Sequence, residues 1–402
     1  MYISREIEST VDRMLRQGKV VLVTGPRQVG KTTMLKHHLG DSFSYVSMEN
    51  PRDYLQARQD AVLFFETRSL PIIIDEVQRV PELFSQVKWI VDESDEKGRI
   101  VLTGSQTYQL MKGVSESLAG RIRILEMPPL SLRELSGAAG SPHPYVPAPV
   151  DASREMPGTD IWSIIHRGSM PELQDSSVDW DSFYSDYVAA YLERDVRDLI
   201  NVKDEARFYS FMVACAARSG QLLNTSDIGN AIGVDHKTAK AWLSVLQASN
   251  VIRILQPFWP NIGKSLTKTP KLYFMDTGLV CHLTRWTTPE QLRLGAVAGH
   301  VFETFVVSEV LKSYMNAGAN VRDVWFYRDA KKREIDLVVQ EGRALHPVEV
   351  KTAATVGTDA VKNFDCLRNL SDYEVGFGHV ICQTAEPYYV TKDVQAVPVW
   401  AI

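Results

Sequence analysis

The stretch Gly25-Pro26-Arg27-Gln28-Val29-Gly30-Lys31-Thr32 fits G-x-x-x-x-G-K-[ST] at every fixed position. Before it, Lys19-Val20-Val21-Leu22-Val23-Thr24 is an apolar run of the kind that forms a strand buried on both faces. After it, Thr33-Met34-Leu35-Lys36-His37-His38-Leu39 reads as the opening turns of a helix. Strand, glycine loop and helix N-terminus together make an anion site. Loop N–H groups point inward, and the helix dipole adds partial positive charge. On this reading Gly25 to Thr33 cradle the phosphates of ATP or a similar nucleotide. Lys31 reaches the β- and γ-phosphates, and the Thr32 hydroxyl holds Mg²⁺.

Such a loop requires an acid, and Pro71-Ile72-Ile73-Ile74-Asp75-Glu76 is an apolar strand ending in two carboxylates. Asp75 is placed to orient a water on Mg²⁺, and Glu76 to polarise the attacking water. A further buried strand, Arg99 to Thr103, leads to the polar tip Gly104-Ser105-Gln106. Ser105 or Gln106 could hydrogen-bond the γ-phosphate or the lytic water, or simply cap the next helix. Arg121, just ahead of a fifth strand at Ile122 to Glu126, fits either a finger on a neighbouring subunit's phosphate or a plain surface arginine. Ile3, Ile7, Val11 and Met14 recur at helical spacing and predict a helix leading into the first strand; Phe43 to Met48 predicts another strand, and Pro51 to Thr67 helix.

The blocks G-P-R-Q-V-G-K-T-T, I-I-I-D-E-V-Q, V-L-T-G-S-Q and S-L-A-G-R-I, in that order between about 20 and 130, resemble the AAA-type ATPases common in bacterial and archaeal genomes. Members of that family carry an uncharacterised C-terminal region. The resemblance implies a five-stranded parallel sheet with helices on both faces and nucleotide at the strands' C-terminal ends. It also implies ATP rather than GTP.

Composition sets the outer bounds. The chain has 402 residues, 45% hydrophobic and 23% charged, which is ample apolar material for more than one core. A net charge of −5 excludes a globally basic nucleic-acid coat but leaves room for local basic patches. The four cysteines, at 215, 281, 366 and 382, show no CxxC pairing and read as buried reduced thiols rather than structural zinc ligands. Met1 to Arg16 is charged and amphipathic, and no apolar run approaches the ~18 residues of a membrane span. No membrane association and a cytoplasmic location are expected.

Beyond the ATPase core, Ser141-Pro142-His143-Pro144-Tyr145-Val146-Pro147-Ala148-Pro149 cannot be helix and predicts an extended connection or a mobile loop. A long helix is predicted from about Trp180 to Leu199. R-G-S-M-P-E at 167–172 and Y-L-E-R-D-V at 191–196 again resemble the same family. Their charges suit a nucleotide lid or an interhelical ion pair. From 205 to 283 the pattern is helix over Phe208 to Arg218, a short helix Ile228 to Ile232 capped at Ser226-Asp227, and a turn at Gly233-Val234. A helix Lys237 to Ala248 and strands Val251 to Gln256 and Lys271 to Met275 follow. This is the winged-helix layout. In a DNA reader its third helix would offer His236, Lys237 and Lys240, and its wing Lys264, Lys268 and Lys271. Nine Lys or Arg against six Asp or Glu between 204 and 290 is a mild excess, equally suited to a packing module.

The last hundred residues carry a different constellation. An amphipathic helix from Val301 to Leu311 places Glu303 near its start; strands are predicted at Val324 to Tyr327, Glu334 to Val339 and Pro347 to Lys351. Period-two geometry puts Glu349 and Lys351 on one face, and a hairpin brings Asp336 beside them. Asp336 and Glu349 would bind Mg²⁺ or Mn²⁺, Glu303 could add a ligand, and Lys351 would position or activate water. The order E…D…E-x-K resembles the restriction-endonuclease-like superfamily, although Ile335 stands where that motif has proline. Lys331-Lys332-Arg333 just ahead would suit a phosphate backbone or a solvated turn.

The expected fold class is therefore α/β. A parallel-sheet AAA-type core (1–135) is followed by a linker and helical lid (136–203), a winged helix (204–290) and a restriction-endonuclease-like α/β domain (291–402). The expected function is an ATPase whose nucleotide state controls a DNA-associated, nuclease-like region. The rival is a signalling or scaffold ATPase whose C-terminal region binds a protein partner. Homo-oligomerisation is compatible with either.

Overall fold

The P-loop strand β1 (Val20–Thr24) is buried along its whole length, with β4 (Ile100–Thr103) on one side and β5 (Ile122–Glu126) on the other. β3 (Ile72–Asp75) joins β4, and β2 (Ser44–Ser47) closes that edge. All pairings are parallel, in the order β2-β3-β4-β1-β5. The computed structural model describes residues 2–105, 114–151, 160–196, 205–260 and 268–402. Gln106, Lys264 and the expected end of the long helix at Leu199 lie outside the described residues.

Alternation explains why these short apolar runs form a sheet covered on both sides. Val21, Val23, Ile73 and Val101 enter one core, beneath the helices Glu8–Gln17 and Lys31–Leu39. Val20, Leu22, Ile72, Ile74, Ile100 and Leu102 enter a second, beneath Ala61–Glu66 and Glu82–Asp92. The five-stranded parallel core is as expected.

The proline-rich stretch is not a free loop. Tyr145 is buried, its N–H bonds Ser313 Oγ at 2.9 Å, and its hydroxyl bonds His379 Nδ1 at 2.7 Å. His379 Nε2 meets the Ala148 carbonyl at 2.9 Å, and Val150 N–H bonds Gln395 Oε1 at 2.8 Å. Proline rings fix an extended backbone that cannot satisfy itself. This strap therefore takes its partners from the C-terminal region.

The helix expected to run unbroken from Trp180 is α-helical only through Tyr191 and then widens to a π-helical turn, Leu192–Val196. In the next region, helices Glu205–Ala216, Thr225–Ile232 and His236–Ala248 precede a small antiparallel sheet of β6 (Gln221–Leu222), β7 (Ile252–Leu255) and β8 (Lys271–Phe274), with β8 central. Two details differ from expectation. Asn224, not Ser226-Asp227, caps the second helix, accepting from Asp227 N–H. The two expected strands are joined by a third, β6.

The final region opens with the helix Ala298–Asn316 and a seven-stranded mixed sheet. Its strands are β9 (Val324–Arg328), β10 (Glu334–Glu341), β11 (Ala344–Val350), β12 (Glu374–Val375), β13 (Gly378–Cys382), β14 (Tyr388–Thr391) and β15 (Val394–Pro398). The order is β14-β15-β13-β11-β10-β9, with β12 beside β11. The helix is not amphipathic as expected. Val301, Phe302, Val306, Val310, Leu311 and Tyr314 are buried all around it, because the sheet covers one side and the preceding regions the other. One buried apolar cluster runs from Val21 through Phe208 and Val306 to Ile381, so the regions share a core. All four cysteines are buried and free. No described helix is long and apolar enough to cross a membrane.

Candidate functional sites

Gly25 and Gly30 shape the phosphate loop. Gly25 has φ +145° and a Cβ there would lie 2.2 Å from the Met127 carbonyl oxygen; Gly30 has φ +88° and ends the loop where the helix Lys31–Leu39 begins. Lys31 Nζ donates to the Gly25 and Pro26 carbonyls at 3.0 and 2.7 Å. Thr32 Oγ1 lies 3.0 Å from both oxygens of Asp75, which also accepts from Tyr45 OH at 2.9 Å and Thr103 Oγ1 at 3.2 Å. One hydroxyl beside one oriented carboxylate is a donor set suited to a hard divalent cation such as Mg²⁺. Burial and the Asp75 charge push the Tyr45 phenol well up, so it stays a donor.

Glu76 follows Asp75 in a left-handed conformation, φ +54°, and Gln78 Nε2 bonds its Oε2 at 2.5 Å. Burial raises the Glu76 pKa, Lys31 opposes that, and Asp75 adds to it. Ser105 is buried, and its Oγ has no hydrogen-bond partner among the described residues. Lys31, Thr32, Glu76 and Ser105 face one cavity of about 580 Å³, also lined by Arg27, Gln28, Gly30 and Thr33. Pro171, Glu172 and Ala190 line it as well, so the end of the R-G-S-M-P-E segment borders the cavity. Arg167 of that segment bonds the Leu173 and Asp175 carbonyls rather than an acid.

Arg121 stands apart. It precedes β5, at the opposite end of the sheet from the loop that follows β1, and pairs with Asp92 Oδ1 at 2.5 Å on the surface. Within its own chain it does not reach the cavity.

A second constellation lies at β10 and β11. The register pairing Leu337 with Val348 brings Asp336 opposite Glu349 one step along, and Asp336 Oδ2 accepts from Val350 N–H at 2.9 Å. Lys351 Nζ bonds Glu349 Oε1 at 2.5 Å. Glu303 reaches the same place from the long helix. Glu303, Asp336, Glu349 and Lys351 are thus gathered, but around a residue assigned above to the wing. Lys271 is 3% exposed, and its Nζ lies 2.8 Å from Glu303, 2.7 Å from Glu334 and 3.9 Å from Asp336. It cannot be a DNA contact on the wing surface, because β8 turns it inward on the acids. Lys268, His236, Lys237 and Lys240 are exposed.

Burial raises both Asp336 and Glu349; Glu303 adds to the first and Asp336 to the second. Burial alone would lower Lys271, but Glu303, Asp336 and Glu334 together hold it protonated and raised. Among the described residues no three His, Cys, Asp or Glu side chains stand as a group able to hold a metal. The donor chemistry suits Mg²⁺ or Mn²⁺, but the positions are held about an ammonium. Sequence reasoning missed Glu334, whose place two residues before Asp336 was a usable signal. It misplaced Lys271, whose target is 32 and more residues away.

A buried polar chain joins the regions. Arg5 donates to the Val29 carbonyl at 2.8 Å and pairs with Glu134 at 3.0 Å. Leu132 N–H bonds Glu309 Oε2 at 2.6 Å, and Glu309 pairs with Lys312 at 2.7 Å. Lys312 bonds Ser169 Oγ at 3.1 Å, and Ser169 N–H bonds Asp276 at 2.7 Å.

Comparison with known proteins places these regions. A model described as "AAA domain" matches residues 17–136, "Domain of unknown function (DUF8612)" matches 158–290, and "Domain of unknown function (DUF4143)" matches 298–402. Uncharacterized proteins Rv2008c of Mycobacterium tuberculosis and Mb2031c of Mycobacterium bovis are each 30% identical over 355 residues, 87% of this chain and 74% of theirs. Among solved structures, the Walker-type ATPase of Pyrococcus abyssi is similar at 15% identity, covering 70% of this chain and 96% of that one, with a TM-score of 0.44. The RuvB Holliday junction branch migration motor of Thermotoga maritima is similar at 17% identity, covering 62% and 89%, with a TM-score of 0.30.

Proposed function

The chain belongs to the family of the two mycobacterial proteins, built on an AAA domain, and from that premise we propose an ATP-hydrolysing switch that controls a nuclease-like C-terminal region acting on DNA. The AAA domain supports the ATPase itself. The observation carrying the site assignment is the Thr32–Asp75 pair at the mouth of the P-loop, with Glu76 one residue on.

Lys31 leaves the Gly25 and Pro26 carbonyls for the β- and γ-phosphates, while loop N–H groups hold the remaining oxygens. Thr32 and Asp75 would hold Mg²⁺, which neutralises charge developing on the phosphates. Glu76 polarises the attacking water, its raised pKa suiting it to share a proton, and Ser105, which lines the same cavity, offers its Oγ as a further hydrogen-bonding group. Gln106, also expected there, stays part of the proposal.

The polar chain from Val29 through Arg5, Glu309 and Lys312 supports control of the C-terminal region. The three helices and small sheet at 205–274 support a winged helix, with His236, Lys237, Lys240 and Lys268 facing solvent for a phosphate backbone. Glu303, Asp336, Glu349 and Lys351 support a phosphodiester-cleaving site. Mg²⁺- or Mn²⁺-dependent plasmid cleavage by the wild type but not by Asp336→Ala is the expected result. No cleavage of double-stranded DNA, single-stranded DNA or RNA would leave the second reading, a scaffold ATPase with a protein partner. The occupation of the acids by Lys271 favours that reading.

A further inference from the structure

The carboxylates at β10 and β11 face a cation that belongs to the chain itself. Lys271 Nζ sits 2.7–2.8 Å from oxygens of Glu303 and Glu334. Tyr273, two residues along the same strand and therefore on the same face, donates to Glu303 Oε1 at 2.7 Å. β8 thus delivers both groups into the C-terminal acids from a separate region of the chain.

Two observations set this apart from an ordinary buried ion pair. Glu349 is 8% exposed, and its Oε2 has no hydrogen-bond partner among the described residues although Oε1 is held by Lys351. A buried carboxylate oxygen left bare beside other acids is costly, and a ligand would relieve it. The acids also outnumber the cations beside them. Glu303, Glu334, Asp336 and Glu349 face Lys271, Lys351 and Arg328. Burial and mutual repulsion already push the Asp336 and Glu349 carboxyls up, and withdrawing Lys271 would take away one of the cations that oppose this, leaving oxygen ligands that a divalent cation could take.

We propose that Lys271 is a tethered internal cation occupying the divalent-metal position of this site, which admits Mg²⁺ or Mn²⁺ only when the β7–β8 sheet draws the lysine back. The idea rests on the phosphodiester-cleaving reading of the site and adds its regulation. The sheet has a link to the nucleotide loop. Arg253 on β7 lies in register opposite Tyr273 of β8 and forms an ion pair with Glu126 of β5. Glu126 in turn lies in register with Thr24, the residue before Gly25. Movement at the end of β1 and β5 therefore has a short covalent and ionic route to Lys271.

The test is Mn²⁺ binding to the full chain without nucleotide, read by electron paramagnetic resonance of free Mn²⁺. Lys271→Met should bind Mn²⁺ at least tenfold more tightly than wild type, Lys271→Arg should not, and adding Asp336→Asn should abolish the gain. Equal affinity of the wild type and Lys271→Met would overturn the proposal, as would a gain that survives Asp336→Asn. Should Lys271→Met fail to fold in metal-free buffer, recovery on adding Mn²⁺ supports the proposal. Recovery only when Glu303 and Glu334 become Gln overturns it and leaves a structural ion pair. Tight binding by Lys271→Met without cleavage of any nucleic acid would sink the nuclease reading while the metal exchange stood.

Discussion

Arg5 and Glu134 form an ion pair at 3.0 Å, and through it the first turn of the chain reaches both the phosphate loop and the C-terminal helix. Arg5 holds the Val29 and Pro128 carbonyls, each at 2.8 Å. Glu134 also accepts from the N–H groups of Glu6 and Ser131, the latter closing a capping box at Leu132–Leu135. Both side chains are almost wholly buried. Glu134→Ala leaves Arg5 charged and unpaired in the interior, so a loss of roughly 3 kcal/mol or more is expected in denaturant unfolding. A loss within experimental scatter would remove this pair from the account.

Asp75 separates binding from turnover. It accepts hydroxyls from Thr32, Tyr45 and Thr103, whereas Lys31 Nζ donates to the Gly25 and Pro26 carbonyls. Asp75→Asn keeps the shape and removes the charge. Turnover at saturating ATP should fall about a hundredfold or more, while nucleotide binding measured with a fluorescent analogue in the absence of Mg²⁺ changes little.

Gly25→Ala tests the loop backbone alone. The added methyl would meet the Met127 carbonyl oxygen at 2.2 Å, at a φ of +145° that alanine avoids. Loss of nucleotide binding is expected, with the C-terminal sheet still protected in hydrogen exchange.

The strap gives a pH dependence. His379 is pulled down to about 4 by burial, only partly offset by the Ala148 carbonyl. It is 1% exposed and held neutral, accepting from Tyr145 and donating to Ala148. The unfolded imidazole takes a proton below about 6.5, but the folded one resists until about 4. The contribution is therefore full above pH 6.5 and declines as pH falls to about 4. Between pH 7 and 4.5 the wild type should lose roughly 2 kcal/mol more than His379→Gln in urea unfolding. Parallel pH profiles would contradict the assignment.

Arg121 stands at the far end of the sheet from its own cavity, so a finger role for it would require a second chain. Mixing Arg121→Ala with Lys31→Ala protein should restore part of the turnover that each lacks alone; no rescue would make it a surface pair with Asp92.

The ATPase core was legible because its signals are local. Val20–Thr24, Gly25–Thr32 and Ile72–Asp75 each declare their structure within a few residues, and parallel pairing follows from burial on both faces. Asp336, Glu349 and Lys351 were legible for the same reason, lying on adjacent strands. What local pattern could not supply was anything set by packing between regions. The helix Ala298–Asn316 is buried all round because three regions cover it. The stretch around Tyr145 reads as an extended connection or a mobile loop, and only its bonds to His379 and Gln395, far along the chain, decide for the first. Lys271 read as a wing lysine because nothing nearby in sequence says that β8 turns toward Glu303.

The most direct test of the central claim is ATP hydrolysis by Lys31→Ala against wild type, with matched circular dichroism to establish folding. Lys31 Nζ donates to the Gly25 and Pro26 carbonyls of its own loop, so the fold should survive its loss. The account predicts a folded protein with turnover reduced to background. A folded Lys31→Ala protein that hydrolyses ATP at the wild-type rate would contradict it.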